Sequence, residues 1–270
     1  MRQRFLAQAL ATLSFLSPVL ALAQTGTGTL IEQGATVWEE RETRIEGFSS
    51  ATSAFQKAEA AFVTQEKNRR QKLNDHRRDC TEAIRKANRD TKFSVTLSCY
   101  RTDLTLIRDI IEKQKEYIED VPGVTEVVRT QALTSGAKLL DAIATIMQAI
   151  EAGVYTTEND LLEAKNNLLT KYRIPYADTL LFVRIDRTET WIVRLLVQLH
   201  SYIQEVTETS DLNQISAVMQ CFEDADATVK SILLDRSAES RAAFRQEQTH
   251  LKSCGEMIKK LAELNTKIVQ

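Results

Sequence analysis

Residues 80–99 read CTEAIRKANRDTKFSVTLSC and hold two of the four cysteines in a 270-residue chain. The midpoint between Cys80 and Cys99 falls between Arg89 and Asp90, inside Ala87-Asn88-Arg89-Asp90-Thr91-Lys92, the most turn-like sequence between them. A reversal there places both cysteines equally far from the bend on antiparallel helices. The midpoint of Cys221 and Cys254 falls at Ser237-Ala238, again in a polar break between two apolar seams. Four cysteines allow three connectivities, and this symmetry selects Cys80–Cys99 and Cys221–Cys254. Cys80 shares a helical face with Ala83, Ile84 and Ala87, and Cys254 lies in the Leu251–Ile258 seam. Small neighbours such as Ala83 and Ala225 let the helices approach closely enough for a disulfide. Each staple is worth roughly 3–4 kcal/mol of loop-closure entropy.

Composition agrees with helices. Glycine (8) and proline (3) are sparse, whereas a β-sandwich or barrel needs many turns built from both. Tyr100, Leu104, Ile107, Ile111, Ile118 and Val121 recur at three and four, skipping only Gln114, as in a heptad seam. Pro122-Gly123 stops that helix. A further helix turns Leu139, Leu140, Ile143, Ile146, Met147 and Ile150 inward and ends near Gly153. Thr157 with Asp160 resembles a capping box. A short helix from there runs to about Lys171, and Pro175 opens the next, which carries Leu181, Ile185, Trp191, Ile192, Leu195, Leu199, Ile203 and Val206. Ser210-Asp211 offers another start, followed by Val218, Phe222, Ala225, Val229 and Ile232, and the last seam is Leu251, Cys254, Ile258, Leu261 and Ile268. Before the first cysteine, a long helix is expected from about Leu30, interrupted near Gly47. Its apolar stripe is Phe48, Ala54, Phe55, Ala58, Ala61, Phe62 and Val63. Phe93–Leu97 alternates like a strand but reads better as helix. No repeat of 20–50 residues is evident, which argues against a solenoid.

The expected fold is therefore all-α: an elongated bundle of six or seven helices with antiparallel, coiled-coil-like hairpins stapled by disulfides. Residues 24–121 form the N-terminal long-helix hairpin and residues 122–270 a C-terminal helical bundle, packed with it as one unit.

The first 23 residues have the pattern of a secretory signal peptide: Arg2 and Arg4, an apolar run from Phe5 to Leu22, and Ala21-Leu22-Ala23 before polar Gln24. Cleavage leaves 247 residues (270 less 23) and moves the formal charge from −2 to −4. No later stretch is an uncharged apolar span, so the expectation is a soluble extracytoplasmic protein, secreted or periplasmic. The charge balance excludes a whole-chain polyelectrolyte partner, and no nucleic-acid partner is expected.

Catalytic and metal motifs are missing from the sequence. There is no G-x-S-x-G, Walker loop or G-x-G-x-x-G. No cysteine lies in a C-x-x-C and none has a histidine within three positions, so no zinc site, cofactor or catalytic residue is assigned. The remaining route to chemistry is a cysteine beside a histidine brought close by folding, from among His76, His200 and His250. Glu223-Asp224-Ala225-Asp226 lacks the glycine and glutamate of an EF-hand loop, and Glu39-Glu40-Arg41-Glu42 reads as surface charge. The distinctive charge feature is Lys67, Arg69, Arg70, Lys72, Arg77, Arg78, Arg85, Lys86, Arg89 and Lys92, set against Asp75, Asp79, Glu82 and Asp90. It is the candidate contact for an anionic partner, either a protein or an envelope component. The function expected is that of a non-enzymatic interaction or structural protein. The rivals are a membrane-active, toxin-like bundle working through Gly136–Tyr155, and an enzyme whose site is assembled from distant residues.

Overall fold

The computed structural model describes residues 52–203, 209–235 and 239–268, and side chains within 59–200, 212–235 and 239–260. The proposed signal peptide, the helix expected from Leu30, Glu39–Glu42 and the Ser237-Ala238 turn lie outside them. All regular structure among the described residues is helical. Helix α1 spans Thr52–Lys86, α2 Lys92–Asp120 and α3 Glu126–Glu151. Helix α4 (Glu158–Leu168) passes through a π-helical turn (Leu169–Arg173) into α5 (Ile174–Ile203). Helix α6 spans Thr209–Asp235 and α7 Ser240–Ile268.

The α1–α2 reversal is built as its sequence dictates. The Asn88 carboxamide oxygen accepts the Thr91 backbone N–H at 2.9 Å and the Thr91 hydroxyl at 2.8 Å. These bonds offer the chain a local alternative to helix, which asparagine favours at turns. Phe93–Leu97 is helical and belongs to the first turns of α2. At the other end of α2, Gly123 has φ 77°, which accommodates the Pro122-Gly123 turn. The Arg129 guanidinium reaches back across that turn. It donates to the carbonyls of Glu119 at 2.7 Å and Val121 at 2.8 Å, and also to that of Ile118. A cation thus satisfies the last carbonyls of α2, where the helix dipole is negative. Helix α3 ends on Gly153 in the left-handed region, φ 67°. Thr157 and Asp160 form a true capping box at the start of α4.

Pro175 stands in the first turn of α5, as expected, but α5 follows α4 through a π turn rather than a loop. Leu168 and Ile174, which border the π turn, both have right-handed helical dihedrals, so the helical path is continuous. Pro175 has no N–H to donate to Lys171, and its ring would crowd that carbonyl in a regular helix. The wider π turn just before it is the usual accommodation.

The described residues up to Val183 form one compact unit and those from Arg184 a second, so the units divide inside α5. The sequence division at 121/122 falls within the first unit, where α3 packs back on α2. Leu104, Ile107, Ile110 and Ile111 of α2 meet Leu139, Ile143 and Ile146 of α3, Leu161 and Leu168 of α4, and Tyr176 of α5. Each such residue contributes about 1.5–3 kcal/mol when removed from water. A second cluster joins Ile118, Val121, Val124, Val128, Ala132 and Val183. In the other unit, Ile215, Val218, Phe222, Ala225, Val229 and Ile232 of α6 and Leu251, Cys254 and Ile258 of α7 are buried. Trp191 of α5 stands edge-on to Phe222, with ring centroids 5.6 Å apart.

Helix α1 departs most from the sequence reading. Of the expected Ala/Phe stripe, Ala61 is exposed and Val63 is 42% exposed, Phe62 is half-buried on the inward face, and Phe48, Ala54, Phe55 and Ala58 lie outside the residues whose side chains are described. That face runs through Glu59, Phe62, Glu66, Leu73 and Cys80 at steps of three, four and seven. Phe62 stacks on Tyr117 at 4.1 Å, and the Tyr117 hydroxyl donates to Glu59 at 3.1 Å. Gln114, the apparent gap in the α2 seam, is buried and donates to Glu66 Oε1 at 2.7 Å. Buried carboxylates need such partners, so the glutamine completes the seam in polar form. Ala83, expected beside Cys80 in the interface, is exposed, while Ile84 and Ala87 are half-buried there.

Candidate functional site

Both disulfides have the connectivity that turn symmetry selected. Cys80–Cys99 joins α1 to α2 with Cα atoms 5.8 Å apart, and Cys221–Cys254 joins α6 to α7 at 5.7 Å. All four cysteines are paired. Among the described residues, no helix is long and apolar enough to cross a membrane.

The ten basic residues near the first staple divide into two sets by their carboxylate neighbours. Ion pairs neutralise six of them: Arg69 with Asp109 at 3.1 Å, Arg70 with Glu66 at 2.5 Å, Arg77 with Asp103 at 3.1 Å, Arg78 with Asp75 at 3.0 Å, Lys86 with Glu82 at 2.5 Å, and Lys92 with Glu158 at 3.9 Å. Four of these partners, Glu66, Asp103, Asp109 and Glu158, lie outside the basic segment. Lys67, Lys72, Arg85 and Arg89 are exposed and have no carboxylate within ion-pair distance among the described residues. Lys67 and Arg85 are eighteen residues apart, five full helical turns, and so share one face of α1. Arg89 lies in the turn just beyond. Arg85 and Lys86 also complement the C-terminal dipole of α1.

Arg69, Arg70 and Arg77 are half-buried and enter a polar layer between α1 and its neighbours, whereas Arg78, Lys86 and Lys92 stay exposed. Arg173, in the π turn, is held below the ordinary arginine value by burial and then by the charge of Arg77, with Asp103 and Tyr100 opposing. The Lys165 ammonium lies 4.7 Å from the centroid of the Tyr100 ring, and its burial favours the neutral amine. The Tyr100 and Tyr176 hydroxyls are buried without a hydrogen-bond partner among the described residues. Burial raises the pKa of both above the ordinary tyrosine value.

Folding also brings two of the three histidines onto the disulfides. His76 Nε2 lies 3.3 Å from Cys80 Sγ and 3.1 Å from the Cys99 carbonyl, with Asp103 Oδ1 at 3.6 Å. His250 Nε2 lies 3.6 Å from Cys221 Sγ, and its Nδ1 faces Glu247 Oε1 at 3.0 Å. In each case the histidine stands four residues before a bonded cysteine, His76 before Cys80 and His250 before Cys254. One turn of helix puts such residues on the same face. A search for histidine within three positions of cysteine stops one residue short of this repeated signal. His200 is exposed and bonds the Leu196 carbonyl of its own helix at 3.1 Å.

The other candidates have structural explanations. Glu223 and Asp224 are exposed on α6, and Asp226 pairs with Lys230. The apolar face of Gly136–Tyr155 is occupied by the core of the first unit, with Leu139 1% and Ile143 0% exposed. Comparison of the chain with protein-family models, with curated proteins and with solved structures gives no match.

Proposed function

We propose that this chain is an exported, non-enzymatic interaction protein that presents the outer face and tip of the α1–α2 hairpin to an acidic surface of another envelope or secreted protein. The observation that carries this reading is the sorting of charge on the hairpin. Six basic residues are consumed by carboxylates, while Lys67, Lys72, Arg85 and Arg89 remain exposed without one. The Cys80–Cys99 staple lies between Lys67 and Lys72 on one side and Arg85 and Arg89 on the other, so it ties the tip to the partner helix. Preorganised charge steers encounter and fixes register at little entropic cost. The signal-like first 23 residues and the complete pairing of the cysteines support an oxidising, extracytoplasmic location.

The test is crosslinking with mass spectrometry in the native producer, comparing wild type with an Arg85→Glu/Arg89→Glu variant. Intermolecular links from Lys67, Lys72, Lys86 or Lys92 to one acidic protein, lost in the variant, are the expected result. Links confined to the chain itself, or equal yields from both proteins, would refute it. Depletion of the wild type onto a non-protein anionic polymer would transfer the same face to a different class of partner and refute the protein-partner reading.

A further inference from the structure

We propose that the Cys221–Cys254 station is a redox-gated metal site: with its disulfide reduced, Cys221, Cys254 and His250 bind one zinc ion. The ligand atoms of these three residues lie within 4.8 Å of one another. A tetrahedral zinc ion with bonds of about 2.3 Å to sulfur and about 2.0–2.1 Å to nitrogen sets a sulfur–nitrogen separation of about 3.5 Å. The observed distance from His250 Nε2 to Cys221 Sγ is 3.6 Å. The helices already hold the imidazole at coordination distance, and only the two sulfurs must part.

The two histidine–disulfide stations differ in a way that singles out this one. His76 turns Nε2 toward the Cys99 carbonyl, which can only accept, so its bond there occupies the nitrogen nearer the sulfur and leaves only Nδ1, farther away at 3.8 Å from Cys80 Sγ. His250 turns Nδ1 toward the Glu247 carboxylate, and Glu247 is buried, 5% exposed. The tautomer that donates Nδ1–H to Glu247 leaves the Nε2 lone pair facing the sulfur. A carboxylate behind the imidazole is the arrangement that orients metal-binding histidines and raises their basicity. Cys254 and Glu247 are buried, whereas Cys221 and His250 are half-buried. The site thus has a fixed inner wall and a side open to ion and reductant.

The chemistry balances with a small-molecule thiol as reductant. Two thiol molecules supply two electrons and two protons, the Cys221–Cys254 bond breaks to two cysteine thiols, and the reductant leaves as its disulfide. Zinc then displaces one proton from each cysteine thiol, forming two zinc–thiolate bonds and one bond to His250 Nε2. Water takes the fourth position. The oxidised chain offers only the imidazole and binds zinc weakly. The site would exchange one covalent link between α6 and α7 for a metal link at the same place.

Cobalt(II), titrated anaerobically into the full-length mature protein before and after phosphine reduction, tests this. The reduced wild type should take up one ion at this station, with thiolate-to-cobalt charge-transfer and intense tetrahedral d–d bands that zinc abolishes. The oxidised protein should show neither. His250→Ala, which leaves the oxidised disulfide intact for folding, should weaken binding at least tenfold after reduction. Glu247→Gln should weaken it about 10–100-fold, and His76→Ala should leave it unchanged. Equal tetrahedral binding in reduced wild type and His250→Ala, or in reduced wild type and a Cys221→Ser/Cys254→Ser variant that remains helical by circular dichroism, would overturn the proposal. So would the absence of any thiolate–cobalt band after reduction.

Discussion

Tyr176→Phe should stabilise the protein, and more so in alkali. Tyr176 is 4% exposed, its ring packs in the core of the first unit, and its hydroxyl has no hydrogen-bond partner among the described residues. Leaving a buried hydroxyl unpaired costs about 1–3 kcal/mol, whereas phenylalanine keeps the ring packing. Taking the low end, the variant gains about 1 kcal/mol at pH 7. Burial, reinforced by the Glu66 carboxylate, raises the folded pKa of Tyr176. A raised folded value means that this group's contribution is fully present below the unfolded value near 10 and is lost as pH rises toward the folded one. At pH 10.5 an unfolded tyrosine is about three-quarters ionised, which stabilises the unfolded chain by about 0.8 kcal/mol. Phenylalanine removes that term, so the advantage of the variant should grow from about 1 to about 1.8 kcal/mol between pH 7 and pH 10.5. Urea unfolding followed by circular dichroism at both pH values measures it, with the m-value checked for constancy. A destabilised variant at pH 7 would show that the hydroxyl is usefully bonded. A difference independent of pH would show that it titrates as freely as in water. Either result refutes the reasoning.

Four further expectations follow from particular contacts. Arg129→Met should cost about 2 kcal/mol, because charge-assisted bonds to the last carbonyls of α2 are lost; urea midpoints will show it, and an unchanged midpoint would mean that water caps that helix equally well. Replacing both members of a staple with alanine should cost about 3.2 kcal/mol for Cys80/Cys99 and about 3.7 kcal/mol for Cys221/Cys254, from sequence separations of 19 and 33; calorimetry of both variants tests the size and the order. Gly136→Val should destabilise by about 1–3 kcal/mol, since even a Cβ at Gly136 meets the Tyr176 ring at 3.0 Å and Lys115 at 3.1 Å; thermal melts check it. Asp160→Asn should be less stable than wild type at neutral pH and converge with it in acid. The backbone N–H of Thr156 and the hydroxyl and N–H of Thr157 hold the Asp160 carboxyl below its ordinary range, so its contribution is lost as pH falls through its folded value; acid titration of helicity compares the two.

The parts of the fold that were legible are those where one local rule acts alone. Asn88 and Thr91 turn the chain whatever surrounds them, and Thr157 with Asp160 caps whatever helix follows. The α2 and α6 seams are apolar at three and four, so periodicity found them. Helix α1 was read incompletely: Phe62 is on its inward face, but that face also carries Glu59 and Glu66, charged residues that a hydrophobic pattern assigns to solvent. Their burial depends on Tyr117, Gln114 and Arg70, and two of those three lie roughly fifty or more residues away. Pro175 stands in the first turn of α5, as its fixed φ dictates; the π turn that joins α5 to α4 was not legible, because no local residue pattern marks it. The staples were legible from turn symmetry. The histidines beside them were missed because a three-residue window ignores the four-residue reach of a helix.

The hairpins, the stapled tip of the basic face and the gated metal station all rest on one covalent pattern. Non-reducing peptide mapping of the protein purified from its native producer, with free thiols blocked at lysis, measures that pattern directly. The account predicts two linked peptide pairs, Cys80 with Cys99 and Cys221 with Cys254, and no blocked cysteine at the first pair. Cys80 joined to Cys221 or Cys254, or Cys80 and Cys99 recovered as free thiols, would contradict it.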